Sequence, residues 1–178
     1  MLGGFKMKSK KIVLSGLFIA FGIILPMVFH TISLGGQIFL PMHIPVLIAG
    51  FLLGPVCGGI VGIVTPILSG IMTGMPPIIP VMPIMAFELF AYGIITGFLF
   101  NKTKKIYMSL IGAMIGGRLF AVLGAYLVSL TIAPQVNPML FVFGNMAQAI
   151  PGMLIQIIFI PIIVKFMIKN PEISKALA

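Results

Sequence analysis

The chain is written in long uninterrupted apolar runs, with its polar residues gathered where the runs end. A bilayer core takes about 20 apolar residues per helix, at about 1.5 Å of rise each. The first run covers 12–33 and stops at Gly35-Gly36-Gln37. Residues 42–74 are apolar throughout but broken at Gly54-Pro55, so the stretch divides into 43–53 and 56–73, the former short for a span. Met75-Pro76-Pro77 cannot continue a helix and opens a rigid loop that ends near Pro80. Further runs cover 82–100, 107–130 and 143–167, the last two separated by a connector that carries Pro134 and Pro138. The pattern predicts an all-α integral membrane protein, a single six-transmembrane-helix bundle over residues 1–178.

Composition agrees: 60% of residues are hydrophobic and 7% charged, too few charges to cover a soluble domain. The N-terminal run follows a basic segment, as in a signal peptide. However, it is longer than such a segment's apolar region and no small-x-small site follows, so it reads as a retained first helix.

The net charge of +9 does not indicate nucleic acid, because the lysines form three clusters separated by apolar spans. With an inside N-terminus, six spans place 1–11, 54–55, 101–106 and 168–178 on the cytoplasmic side. Every lysine then lies on or beside that side, and the loops around 34–42, 74–81 and 131–142 carry no Lys or Arg. Both termini are therefore expected to be cytoplasmic. Lys165 sits slightly inside the last run and can snorkel to the interface.

Enzyme chemistry has little to work with. There is no GxxxxGK[ST] phosphate loop, no HExxH, no GxSxG elbow and no Asp at all. The single Cys57 excludes an internal disulfide and a cysteine metal cluster, and reads as a small apolar residue in a Gly-rich helix. His30 and His43 flank the first loop without an acidic or thiol partner, a poor metal site. No metal or cofactor is expected.

Glu88 and Arg118 are the clear charged residues inside the spans, and their signs are opposite. Charges in a bilayer are costly and mark functional sites by default. Glu88 lies roughly 10 Å from the outer end of its span and Arg118 about 18 Å from that of its own, within reach of each other on adjacent antiparallel helices. The pair either fixes helix register or faces a substrate cavity. Tyr92 follows Glu88 by four residues and Tyr126 follows Arg118 by eight, each reading as a neighbour on the same face. Asn145, Gln148, Gly152 and Gln156 form a polar stripe on the last span; Asn145 and Gln148 are assigned to a cavity and Gln156 to interhelical contact. His43 and Gln37, at the first outer loop, complete the candidate ligand set of Gln37, His43, Glu88, Tyr92, Arg118, Tyr126, Asn145 and Gln148. Gly16 and Ala20, four apart near the cytoplasmic end of the first helix, offer a surface for a partner helix.

Over roughly residues 8–168 the chain resembles a substrate-binding S component of an energy-coupling factor (ECF) vitamin transporter. The resemblance is carried by PMHIPVLIAGFLLGPVCGGIVG, TGMPPIIPVMPIMAFELFAYGIITG and IGAMIGGRLF. It implies capture of a small vitamin-like ligand in an outward-facing pocket and toppling in the bilayer to release it. It also implies a membrane-embedded coupling subunit and two ATPases as partners, in a bacterial plasma membrane. The family's first-helix motif is Ala-x-x-x-Ala, and Gly16 stands here for the first Ala, with the 34–43 and 74–80 loops gating the pocket. Pantothenate, a benzimidazole or α-ribazole cobalamin precursor and a pyridoxine-like ring all suit the candidate residues. The competing expectation is a self-contained proton-coupled carrier titrating at Glu88, for which the two halves lack the usual inverted repeat.

Overall fold

The computed structural model describes residues 9–29 and 38–170. Six helices are described in full: α1 (Ser9–Phe29), α2 (His43–Leu53), α3 (Pro55–Thr73), α4 (Val81–Thr103), α5 (Ile106–Thr131) and α6 (Pro138–Lys169). The expected first span runs to residue 33, and its last four residues lie outside the described ones. α6 starts at Pro138, five residues before the apolar run suggests, with Asn137 capping it by accepting a hydrogen bond from the Leu140 amide.

Five of the six helices are long and apolar enough to cross a membrane. The sixth, α2, covers the expected 43–53 and is as short as the apolar pattern predicts: its 11 residues extend only about 16 Å against a core of about 30 Å. α2 is the most enclosed element: nine of its residues are buried, and it packs against α1, α3, α4 and α6. Gly54, at a φ of 91°, turns the chain into α3, a conformation that suits glycine. The hairpin of α2 and α3 closes on itself and on α4 through glycines. A Cβ on either Gly50 or Gly58 would lie 2.7 Å from the Gly93 carbonyl oxygen, so three backbones meet where no side chain fits.

Three of the buried hydroxyls are satisfied locally: Ser15, Thr65 and Ser109 each donate to the carbonyl four residues back. The outer surface is apolar. Ile12, Val13, Leu17 and Ile24 on α1 and Leu119, Leu123, Leu130 and Leu154 on α5 and α6 are exposed, as lipid-facing side chains would be. The chain is a multi-pass membrane protein.

Candidate functional site

Three helices bring the two intramembrane charges together. Gly117 on α5 lies against the Tyr92 ring so closely that a Cβ there would overlap it, which seats α5 on α4. The next residue, Arg118, then directs Nη1 at Glu88 Oε1, 2.9 Å away. His43, the first residue of α2, places Nε2 3.4 Å from the same oxygen. Beneath them the His43 and Tyr92 rings meet edge to face, centroids 5.1 Å apart.

The depth of this cluster follows from helix geometry. His43 is 11 residues from the Gly54 turn, Arg118 12 from Ile106 and Glu88 15 from Thr103, which puts all three about 16–22 Å from the lysine-bearing end of the bundle. That is near mid-membrane. The short α2 is the reason His43 arrives there: a full-length helix would have carried its first residue to the far surface.

The cluster is enclosed but not internally satisfied. Tyr92 is fully buried, His43 2% exposed and Glu88 6%. Even so, the Tyr92 hydroxyl, His43 Nδ1 and Arg118 Nε and Nη2 have no hydrogen-bond partner among the described residues. Buried polar groups are normally paired, and each orphan costs on the order of 1–3 kcal/mol. A site with one ion pair and several unused donors can bind a polar ligand without first breaking the pair. No group of three or more His, Cys, Asp or Glu that could hold a metal occurs among the described residues.

The other candidates lie elsewhere. Tyr126 is exposed in an open apolar groove lined by Leu119, Val122, Leu123, Pro138 and Met139. Eight residues of helix rotate it about 80° from Arg118, enough to turn it toward α6 and away from Glu88. Asn145 and Gln148 are exposed on α6, whereas Gly152 and Gln156 on the same stripe are buried. Gly152 packs against the Ile38 and Phe39 backbone, and Gln156 Nε2 donates to the Leu40 carbonyl at 3.5 Å, so Gln156 ties α6 to the segment that precedes α2. Gln37 lies outside the described residues. Gly16 and Ala20 are exposed on α1, and a Cβ on Gly16 would meet nothing within 4 Å. Sequence reasoning gave His43 only as a loop-proximal ligand contact. Its bond to Glu88 depends on α2 being central in the bundle, which hydropathy does not report.

A multi-pass apolar bundle that buries a polar cluster can hold a polar ligand within the membrane. The chain matches the family described as ECF transporter, substrate-specific component, over residues 10–172, and it belongs to that family. Members are the substrate-specific subunits of ECF importers, working with a membrane coupling subunit and ATPases, and they are not enzymes. Neither the curated proteins nor the solved structures compared with the chain give a match.

Proposed function

We propose that this chain captures a small vitamin or cofactor precursor on the outer side of a bacterial plasma membrane and passes it inward together with a separate ATP-driven module. The observation that carries this reading is the mid-membrane cluster of Glu88, Arg118, His43 and Tyr92, with donors left unpartnered around one ion pair. Within the substrate-specific subunit of an importer, such a cluster is the place for ligand recognition. Pantothenate, a benzimidazole or α-ribazole type precursor and a pyridoxine-like ring all fit one acid, one base and an aromatic face.

The lysines support cytoplasmic termini. Lys10 and Lys11 open α1, Lys102 closes α4, Lys104 and Lys105 precede α5, and Lys165 and Lys169 close α6. Alternating helices bring all of these to one end, the one expected to face the cytoplasm. In this orientation the loops 74–80 and 132–137 face outward. The exposed Gly16 and Ala20 surface of α1 then lies toward the cytoplasmic side, where the coupling subunit would dock. The sequence has no phosphate-binding loop, so energy must come from that partner. The arrangement of Glu88 speaks against a proton carrier, because its Oε1 is already engaged by Arg118 and His43.

The test is equilibrium binding by the detergent-purified chain alone. Tight binding of one vitamin-class compound, lost in Glu88→Gln and Arg118→Met, supports the reading. Unaltered binding in both variants moves the site elsewhere, Tyr126, Asn145 and Gln148 being the next residues to substitute.

A further inference from the structure

We infer that the ligand carries a carboxylate, which Arg118 receives on the edge of its guanidinium formed by Nε and Nη2; this rests on reading the chain as the ligand-capturing subunit. Arg118 spends Nη1 on Glu88 at 2.9 Å, and Nε and Nη2 are buried without a partner among the described residues. These two nitrogens are not scattered leftovers. The Nε–H and the adjacent Nη2–H project side by side in the guanidinium plane, at the spacing of two carboxylate oxygens, which is the bidentate fork arginine forms with acids. Glu88 holds the other edge, so the two carboxylates would flank one planar cation rather than face each other.

The rest of the cluster points to the same chemistry. Tyr92 and His43, both more than nine-tenths buried, hold an unpartnered hydroxyl and ring nitrogen. Arg118 Nε and Nη2 can only donate and the Tyr92 hydroxyl can donate as well, so the unused groups favour a ligand that brings acceptors. A cationic ligand would need a free acid, but the only acid in the spans is Glu88, already engaged twice. A phosphate or other multiply charged anion would need further fixed cations, and Arg118 is the only arginine in the chain, with the lysines at the ends of the spans. A single carboxylate matches the geometry of the open edge and, among anions, adds the least charge beside the Glu88–Arg118 pair. An uncharged ring would leave the Nε and Nη2 edge desolvated and unpaired, and sites built that way reject analogues lacking the matching group strongly.

The experiment uses matched pairs that differ at the acid. Pantothenate and panthenol, nicotinate and nicotinamide, biotin and biotinamide, and lipoate and lipoamide are titrated calorimetrically into the purified full chain. Thiamine, pyridoxine, riboflavin and 5,6-dimethylbenzimidazole serve as carboxylate-free compounds. One acid should bind tightly and its neutral partner about 100-fold more weakly or worse. Arg118→Lys, which keeps the charge but loses the fork, should weaken the acid by at least about 30-fold and so narrow the gap between the acid and its neutral partner. If Arg118→Lys does not fold, Tyr92→Phe deletes only a hydroxyl and should weaken the acid by about 5–10-fold. Equal affinity within the pair, a tight carboxylate-free ligand, or no binding of any of the four acids by folded protein overturns the inference. A carboxylate-free vitamin imported with the ATPase module would overturn it and leave the importer reading intact. An acid bound through Arg118 but imported without that module would do the reverse.

Discussion

Neutralising Glu88 is the perturbation whose size the structure defines best. Oε1 lies 2.9 Å from Arg118 Nη1, and the two side chains are 7% and 14% exposed. At an effective dielectric of about 20, unit charges at this distance attract by about 6 kcal/mol, most of which offsets their desolvation. Glu88→Gln keeps the shape and one acceptor oxygen but leaves Arg118 with an uncompensated charge. Removing one partner of a buried pair costs about 3–5 kcal/mol, and the retained acceptor places this variant near the lower end. Arg118→Met strands Glu88 in the same way and should cost about as much. The double variant leaves no unpaired charge and should cost only about 1–2 kcal/mol, far below the roughly 6–8 kcal/mol sum of the singles. Cys57, the only cysteine and 3% exposed, supplies the assay: a thiol-reactive fluorogenic dye reports its exposure as the bundle melts. For a chain of this size each single variant should lower Tm by about 6–12 °C, with most of the loss recovered in the double. Additive losses would show that the two residues act independently and refute the pairing argument.

Other perturbations test other links. Gly93→Ala puts a methyl group into the Gly58 backbone and should destabilise the three-helix contact by at least about 1–3 kcal/mol, read as a lower melting temperature with the same dye. Gly117→Ala pushes on the Tyr92 ring, so it should weaken ligand binding as well as stability, whereas Gly144→Ala, with nothing within 4 Å, should change neither. Gly16→Trp and Ala20→Trp should leave binding by the isolated chain intact and abolish import with the coupling module, since both lie on an exposed face; equal loss of binding would remove the partner surface from α1. Asn145→Ala and Gln148→Ala, both exposed, should alter melting by no more than about 0.5 kcal/mol in equivalent stability.

Much of this architecture was legible as hydropathy. Apolar runs located the helices because a bilayer demands them, and Gly54-Pro55 marked the turn between α2 and α3. Glu88 and Arg118 stood out because a lone charge in such a run needs a partner, and four-residue spacing was enough to put Tyr92 in the same cluster. The limits are equally physical. Hydropathy does not say which helix is central, so the enclosure of α2 and the contact of His43 with Glu88 emerged only from packing. A helical wheel gives direction, not the presence of a neighbour. Gly152 and Gln156 meet the 38–40 segment, while Asn145 and Gln148, one to three turns earlier on α6, are exposed. Tyr126 shows how drift accumulates over eight residues, since a residue that shares a face in outline ends on the groove toward α6.

The central claim is that this chain captures a ligand whose import is driven by a separate ATP-hydrolysing module. The most direct measurement is uptake of the radiolabelled compound that binds in calorimetry, by cells expressing this chain with a coupling subunit and two ATPases, intact or inactivated. The account predicts accumulation only with intact ATPases and none by this chain alone. Accumulation by the chain alone, abolished by a protonophore but not by inactive ATPases, would contradict it.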